Sequence, residues 1–177
     1  MAVLFTHDQS LASKMDKLTI NGRPLKIEKS VRSLGLVFDQ RLSWKEHIYY
    51  IVTNCKKRLN LMRSIAGNAW EATKKSLLTI YKSLIRSVID YGAIAYSNAS
   101  RTSTAQLDVV QAKALRVVCE AVCSTPVEAL LNETGEQPLE MRRLQLQTQY
   151  VIKVKATEID PSAGILNDHW TIRRAKI

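Results

Sequence analysis

The spacing of apolar residues changes near residue 43, and the change divides the chain. Before it, short apolar runs bounded by turn residues predict strands. The runs are Val3-Leu4-Phe5, Leu18-Thr19-Ile20, Leu25-Lys26-Ile27 and Leu34-Gly35-Leu36-Val37-Phe38. Asn21-Gly22, between the second and third, suits a tight hairpin because both positions tolerate positive φ. Pro24 has no N–H to give to a ladder and predicts an edge strand. Gly35 predicts a close approach by another part of the chain.

After residue 43 the period is about 3.6, that of a helix with one buried stripe. Ser43 and Glu46 have the spacing of a capping box. Ile48, Ile51, Val52, Cys55, Leu59, Met62 and Ala66 then follow, with Gly67 as the stop. A second helix is predicted from about Trp70 to Asp90, with Leu77, Tyr81, Leu84 and Val88 facing the core and Gly92 ending it. A third runs from about Ser103 to Val122 and carries Leu107, Val110, Ala114, Leu115 and Val118. Thr125-Pro126-Val127-Glu128 reads as another capping box, opening a short helix that stops at Gly135. The last helix begins near Pro138 and carries Leu139, Leu146 and Tyr150 toward Lys155, before a linker-like Asp160–Gly164. The expected fold is α+β, mainly α. A β-hairpin and strand fragment occupies residues 1–42, a bundle of about five helices residues 43–157, and a poorly structured tail residues 158–177.

Charge adds what periodicity cannot. The chain has 177 residues and a formal charge of +10. Residues 1–87 hold 16 basic and 6 acidic groups, whereas residues 88–177 hold 10 of each. Within 54–87 there are eight basic residues and one acid, Glu71. An excess of that kind suits a polyanion such as nucleic acid, although polar helix faces favour Lys and Arg in any case. The three cysteines are an odd, widely spaced set that predicts no disulfide framework, and Cys119 and Cys123 read as buried structural residues. No apolar run approaches the roughly 18 residues of a membrane span, and no signal peptide opens the chain. The expectation is an intracellular protein, cytoplasmic or nuclear, with no membrane partner.

Catalytic patterns are missing. There is no Gly-rich phosphate loop, G-x-S-x-G elbow or H-E-x-x-H, and no two acids are adjacent. His7, His47 and His169 lie far apart with no neighbouring Cys. The basic groups are better organised. Tyr49, Lys56, Asn60 and Arg63 follow at steps of seven, four and three, which keeps them on one ridge beside the apolar stripe. Lys75, Thr79, Lys82 and Arg86 repeat the device at steps of four, three and four, placed away from Leu77, Leu84 and Val88. That second ridge would be roughly 16 Å long at 1.5 Å per residue, enough to follow a few phosphates. The candidate nucleic-acid-binding residues are therefore Lys56, Arg63, Lys75, Lys82 and Arg86, with no catalytic and no metal residue assigned.

A family resemblance runs through the same residues. Ser33-Leu34-Gly35-Leu36-Val37-Phe38-Asp39, then Leu42-Ser43-Trp44 with His47-Ile48, resembles the end of the palm in non-LTR retrotransposon reverse transcriptases of the jockey kind. The likeness continues through Cys55-Lys56-Lys57-Arg58-Leu59-Asn60-Leu61 and Leu84-Ile85-Arg86-Ser87-Val88-Ile89-Asp90-Tyr91-Gly92. Leu107-Asp108-Val109-Val110-Gln111 with Ala114-Leu115-Arg116, Thr125-Pro126 with Leu130, Pro138-Leu139 and Arg142-Arg143 extend it over about residues 1 to 155. The resemblance implies the last palm strands, a thumb and the helical segment after it. Such polymerases hold magnesium on an Asp-Asp loop, and this chain has no Asp-Asp. Met1 stands where that loop should have ended, so a truncated relic or a fragment of a longer gene is expected, inactive alone and without a cofactor of its own. Magnesium is expected only for the complete parent enzyme. A thumb would grip an RNA–DNA or DNA duplex by its phosphates, without reading sequence. Gly35 matches a family glycine near the primer end, which implies a contact rather than a catalyst. The alternative is a basic helical interaction module that binds an acidic protein partner, or a non-functional transposon relic.

Overall fold

Asn21 and Gly22 both take positive φ, 51° and 75°, as a two-residue type I′ turn requires. They join β1 (Thr19–Ile20) to β2 (Arg23–Pro24), with Thr19 paired to Pro24 and Ile20 to Arg23. The hairpin is shorter than expected, for β2 ends at Pro24 rather than running on to Ile27. A computed structural model of the chain supplies this architecture and describes residues 3–6, 19–67 and 72–157. Leu18, the expected helix start at Trp70 and the expected tail 158–177 lie outside the described residues.

The predicted strand from Leu34 to Phe38 divides. Leu34 and Gly35, at φ 47° and 81°, form a second two-residue turn. It joins β3 (Ser30–Ser33) to β4 (Leu36–Asp39) in a ladder running from Ser30–Asp39 to Ser33–Leu36. β3 has one apolar residue, Val31, so period gave it no signal. Gly35 is thus a turn residue, although the close approach is real: a Cβ there would stand 3.3 Å from the Tyr91 ring. Val3–Phe5 forms no strand; Thr6 N–H donates to the Gln40 carbonyl at 3.0 Å, and Phe5 meets Phe38 edge-on.

Asp39 then builds the first helix start. Its carboxylate accepts the N–H groups of Ser43 and Trp44, both at 2.9 Å, in place of the expected Ser43–Glu46 box. α1 (Lys45–Gly67) buries Ile48, Ile51, Val52, Cys55, Leu59 and Met62 of the predicted stripe, with His47 besides, and leaves Ala66 half-buried. Thr73 caps α2 (Lys74–Tyr81) by accepting from Ser76 N–H. A π-helical turn (Lys82–Arg86) follows, then α3 (Ser87–Asp90).

The π turn corrects the predicted core face. Leu77 and Tyr81 are buried as expected, but the row continues through Ile85 and Ile89, leaving Leu84 and Val88 half-buried. Steps of four in an α-helix rotate a row by about 40° each, at 3.6 residues per turn. The wider i→i+5 turn takes up that drift.

α4 (Arg101–Val118) starts at a Ser100 cap and buries all five predicted residues, Leu107, Val110, Ala114, Leu115 and Val118. It stops short of Val122, with Glu120 at positive φ two residues past its end. α5 (Val127–Thr134) has Pro126 as its cap residue with no side-chain bond, so the Thr125–Glu128 box does not form. The Thr125 carbonyl instead accepts from Arg116 at 2.9 Å. α1 and α4 form the principal helix pair, with α2 and the π turn against both and α5 against α4. β4 packs on α1, so hairpin and helices belong to one compact unit ending at Glu136. A second unit begins at Gln137 and contains α6 (Leu139–Ala156), close to the predicted bounds. The fold is α+β, mainly α. Cys55 is the buried cysteine; Cys119 is half-buried and Cys123 exposed, so that pair is not the buried one expected.

Candidate nucleic-acid interface

The inward stripe of α1 fixes what its other side shows. Tyr49, Lys56, Asn60 and Arg63 are all exposed, as their spacing predicts, and Tyr49 is 69% accessible. The Arg63 guanidinium donates to Asn60 Oδ1 at 3.3 Å, which steadies it along the ridge. Among the described residues Lys56 and Arg63 have no carboxylate within ion-pair distance. Lys75, in the first turn of α2, is likewise exposed and unpaired there. Its neighbour Lys74 is not, being paired with Glu133, whose carboxyl it holds below the ordinary value.

Lys82 and Arg86 are placed differently. Lys82 Nζ lies 3.2 Å from Glu136 Oε1, and Arg86 Nη1 donates to Glu136 Oε2 at 2.7 Å. Arg86 Nε also faces Asp90 at 3.7 Å. Arg86 is only 19% exposed and the Glu136 side chain 2%, whereas Lys82 keeps 49%. The five candidate residues therefore do not share one free ridge. Three stand open to solvent, and two converge on a buried carboxylate. Period missed this because Glu136 is 50 residues from Arg86; its one local signal is that it follows Gly135, the residue that stops α5.

The π turn itself is held from α1. Arg58 donates to the Leu84 carbonyl at 2.7 Å, and the Cys55 thiol reaches the Ile85 carbonyl at 3.9 Å. A π turn disturbs the i→i−4 ladder, and these donors meet carbonyls within it. Burial pushes the Cys55 thiol up to about 11, against the opposing pull of Arg58, so it remains a thiol. The Cys55–Arg58 segment thus serves packing on one side and presents Lys56 on the other.

The hairpin motif is structural in the same sense. His47 Nδ1 accepts the Val37 N–H at 3.3 Å, and its ring lies between those of Trp44 and Tyr96 at 6.0 and 5.5 Å. Burial holds His47 below its ordinary value. Burial also pulls Asp39 upward, but the N–H groups of Ser43 and Trp44 outweigh it and leave the carboxyl below its usual value. Tyr91 donates its hydroxyl to the Leu34 carbonyl at 2.6 Å and so fixes the hairpin tip, where Leu34 is 87% exposed. Among the described residues no three His, Cys, Asp or Glu side chains gather as metal ligands.

Comparison with known proteins finds relatives by sequence. Over 123 residues, 70% of its length, the chain is 25% identical to the retrovirus-related Pol polyprotein from the type-1 retrotransposable element R1 4 of Nasonia vitripennis. Over 104 residues, 59% of its length, it is 27% identical to the RNA-directed DNA polymerase from the mobile element jockey of Drosophila funebris. The chain is similar to R1 and jockey retrotransposon proteins. An R1 polyprotein of Bradysia coprophila extends that likeness to 157 residues, 85% of the chain, at 22% identity. The retrotransposon-like chain spans 31%, 11% and 15% of the length of these three relatives. No protein-family model matches it, and no solved structure does. Among the described residues no helix is long and apolar enough to cross a membrane.

Proposed function

We propose that this chain is a segment of a retrotransposon RNA-directed DNA polymerase whose helices hold template–primer nucleic acid by its phosphates, as a thumb would, without performing chemistry. The observation that carries the reading is the set Lys56, Arg63 and Lys75: exposed cations without a carboxylate partner among the described residues, on helices whose apolar rows turn inward. Similarity to jockey polymerases supports it. Lysine and arginine on a phosphate backbone position a duplex and carry no sequence information directly. Tyr49, on the same ridge as Lys56, adds an exposed aromatic face beside the cations.

Binding to random-sequence RNA–DNA and DNA duplexes, followed by fluorescence anisotropy as salt is raised, tests the reading. Three phosphate contacts predict a log–log slope of about −2.7 on DNA duplex, at roughly 0.9 per contact, with little difference between sequences. Binding that ignores salt, or that requires one sequence, would contradict it.

A further inference from the structure

The geometry points to Glu136 as an internal anion that withholds Lys82 from nucleic acid and so sets the limit of the phosphate-binding surface. The inference rests on the nucleic-acid reading and adds a regulating residue to it. Gly135, at φ 64°, ends α5 in the left-handed conformation, and Glu136 N–H returns to the Leu131 carbonyl at 3.1 Å. That turn carries the next side chain back into the protein, so Glu136 points inward although it follows a helix end. A carboxylate only 2% exposed needs cations and hydrogen bonds to offset its lost hydration. Lys82 and Arg86 supply them, one on each oxygen.

The two cations are not equivalent. Arg86 is largely buried and is shared between Glu136 and Asp90. Among the described residues Lys82 has one carboxylate contact, at 3.2 Å, and half of its side chain already faces solvent. Once the carboxylate is removed, an ammonium on a flexible stem can reach a phosphate with little rearrangement, while a guanidinium still held by Asp90 cannot. Glu136 therefore occupies, from within, the place a phosphate oxygen would take at Lys82. The π turn makes this possible, since Lys82 and Arg86 are its first and last residues and lie beside the buried row of Tyr81 and Ile85.

The test compares DNA-duplex binding of the whole chain, Glu136→Gln, Lys82→Ala and the double variant, each checked for helicity by circular dichroism. Lys82→Ala alone should leave affinity and salt slope as they are. Glu136→Gln should bind roughly five- to tenfold more tightly at about 50 mM salt, with a slope steeper by about 0.9, the value of one added contact. The double variant should lose that gain. A folded Glu136→Gln protein with an unchanged slope overturns the inference, and so does a Lys82→Ala protein whose slope is already shallower. If Glu136→Gln does not fold, Lys82→Ala decides alone, since unchanged binding supports the withheld cation and weakened binding overturns it. A wild-type chain that binds no duplex in a salt-dependent way overturns the nucleic-acid reading itself, and this inference with it.

Discussion

His47 carries a cost that depends on pH. Its ring is buried among Trp44, Tyr96 and the β4 backbone, and desolvation lowers its pKa from 6.5. The unfolded chain therefore takes up a proton before the folded chain does. Stability from this residue is complete above the ordinary value and is lost as pH falls through 6.5 toward the folded value. We expect the urea midpoint to drop between about pH 7.5 and about pH 5, and His47→Gln to flatten that dependence even if it lowers the midpoint throughout. Asp39 acts in a separate window. Its depressed carboxyl contributes above 3.8 and is lost below that value. The residues of L-S-W-x-x-H-I were visible in the sequence, and so was the burial of Ile48, but the burial of Trp44 and His47 was not. A histidine on a helix beside solvent-facing residues reads the same whether it packs inward or outward until its neighbours in space are known.

Among elements, the π turn decides most. Leu84 and Val88 are as apolar as Ile85 and Ile89, so helical period alone cannot choose between the rows. The choice is made by partners from elsewhere: Arg58 on the Leu84 carbonyl, Cys55 near the Ile85 carbonyl, and Glu136 on Lys82 and Arg86. Arg58→Met should leave a part-buried carbonyl without its donor and cost about 1–3 kcal/mol in urea unfolding. Lys57→Met, at an exposed neighbour, should stay within about 0.5 kcal/mol. Equal effects from the two would mean that Arg58 does not hold the turn. The corner after α3 is equally specific. Gly92 sits at φ 69°, and a Cβ there would run into the Leu36 side chain. Gly92→Ala should therefore destabilise by more than about 1 kcal/mol, beyond the usual backbone effect. Both hairpin turns depend on paired positive φ. The Asn21-Gly22 turn was legible because Asn and Gly favour that conformation, and the Leu34-Gly35 turn was hidden because leucine does not.

For the molecule as a whole, the uneven charge was legible from composition, and so was the exposed ridge of α1. Which cations are free was not, because that depends on a carboxylate brought from 50 residues away. Of the five candidate cations, Lys56, Arg63 and Lys75 are the three left exposed and without an ion-pair partner among the described residues. No catalytic step is assigned to this surface, so the purified chain should fail to extend a primer in the presence of magnesium. Chelator-sensitive extension by the chain alone would contradict that assignment. Phosphate holding is tested most directly by the salt dependence of DNA-duplex binding for the wild-type chain and for Lys56→Gln, Arg63→Gln, Lys75→Gln combined. The combined variant should stay helical, bind all duplex sequences proportionally more weakly, and have a slope shallower by about 2.7, roughly 0.9 for each contact removed. A helical variant with the affinity and slope of the wild type would contradict it.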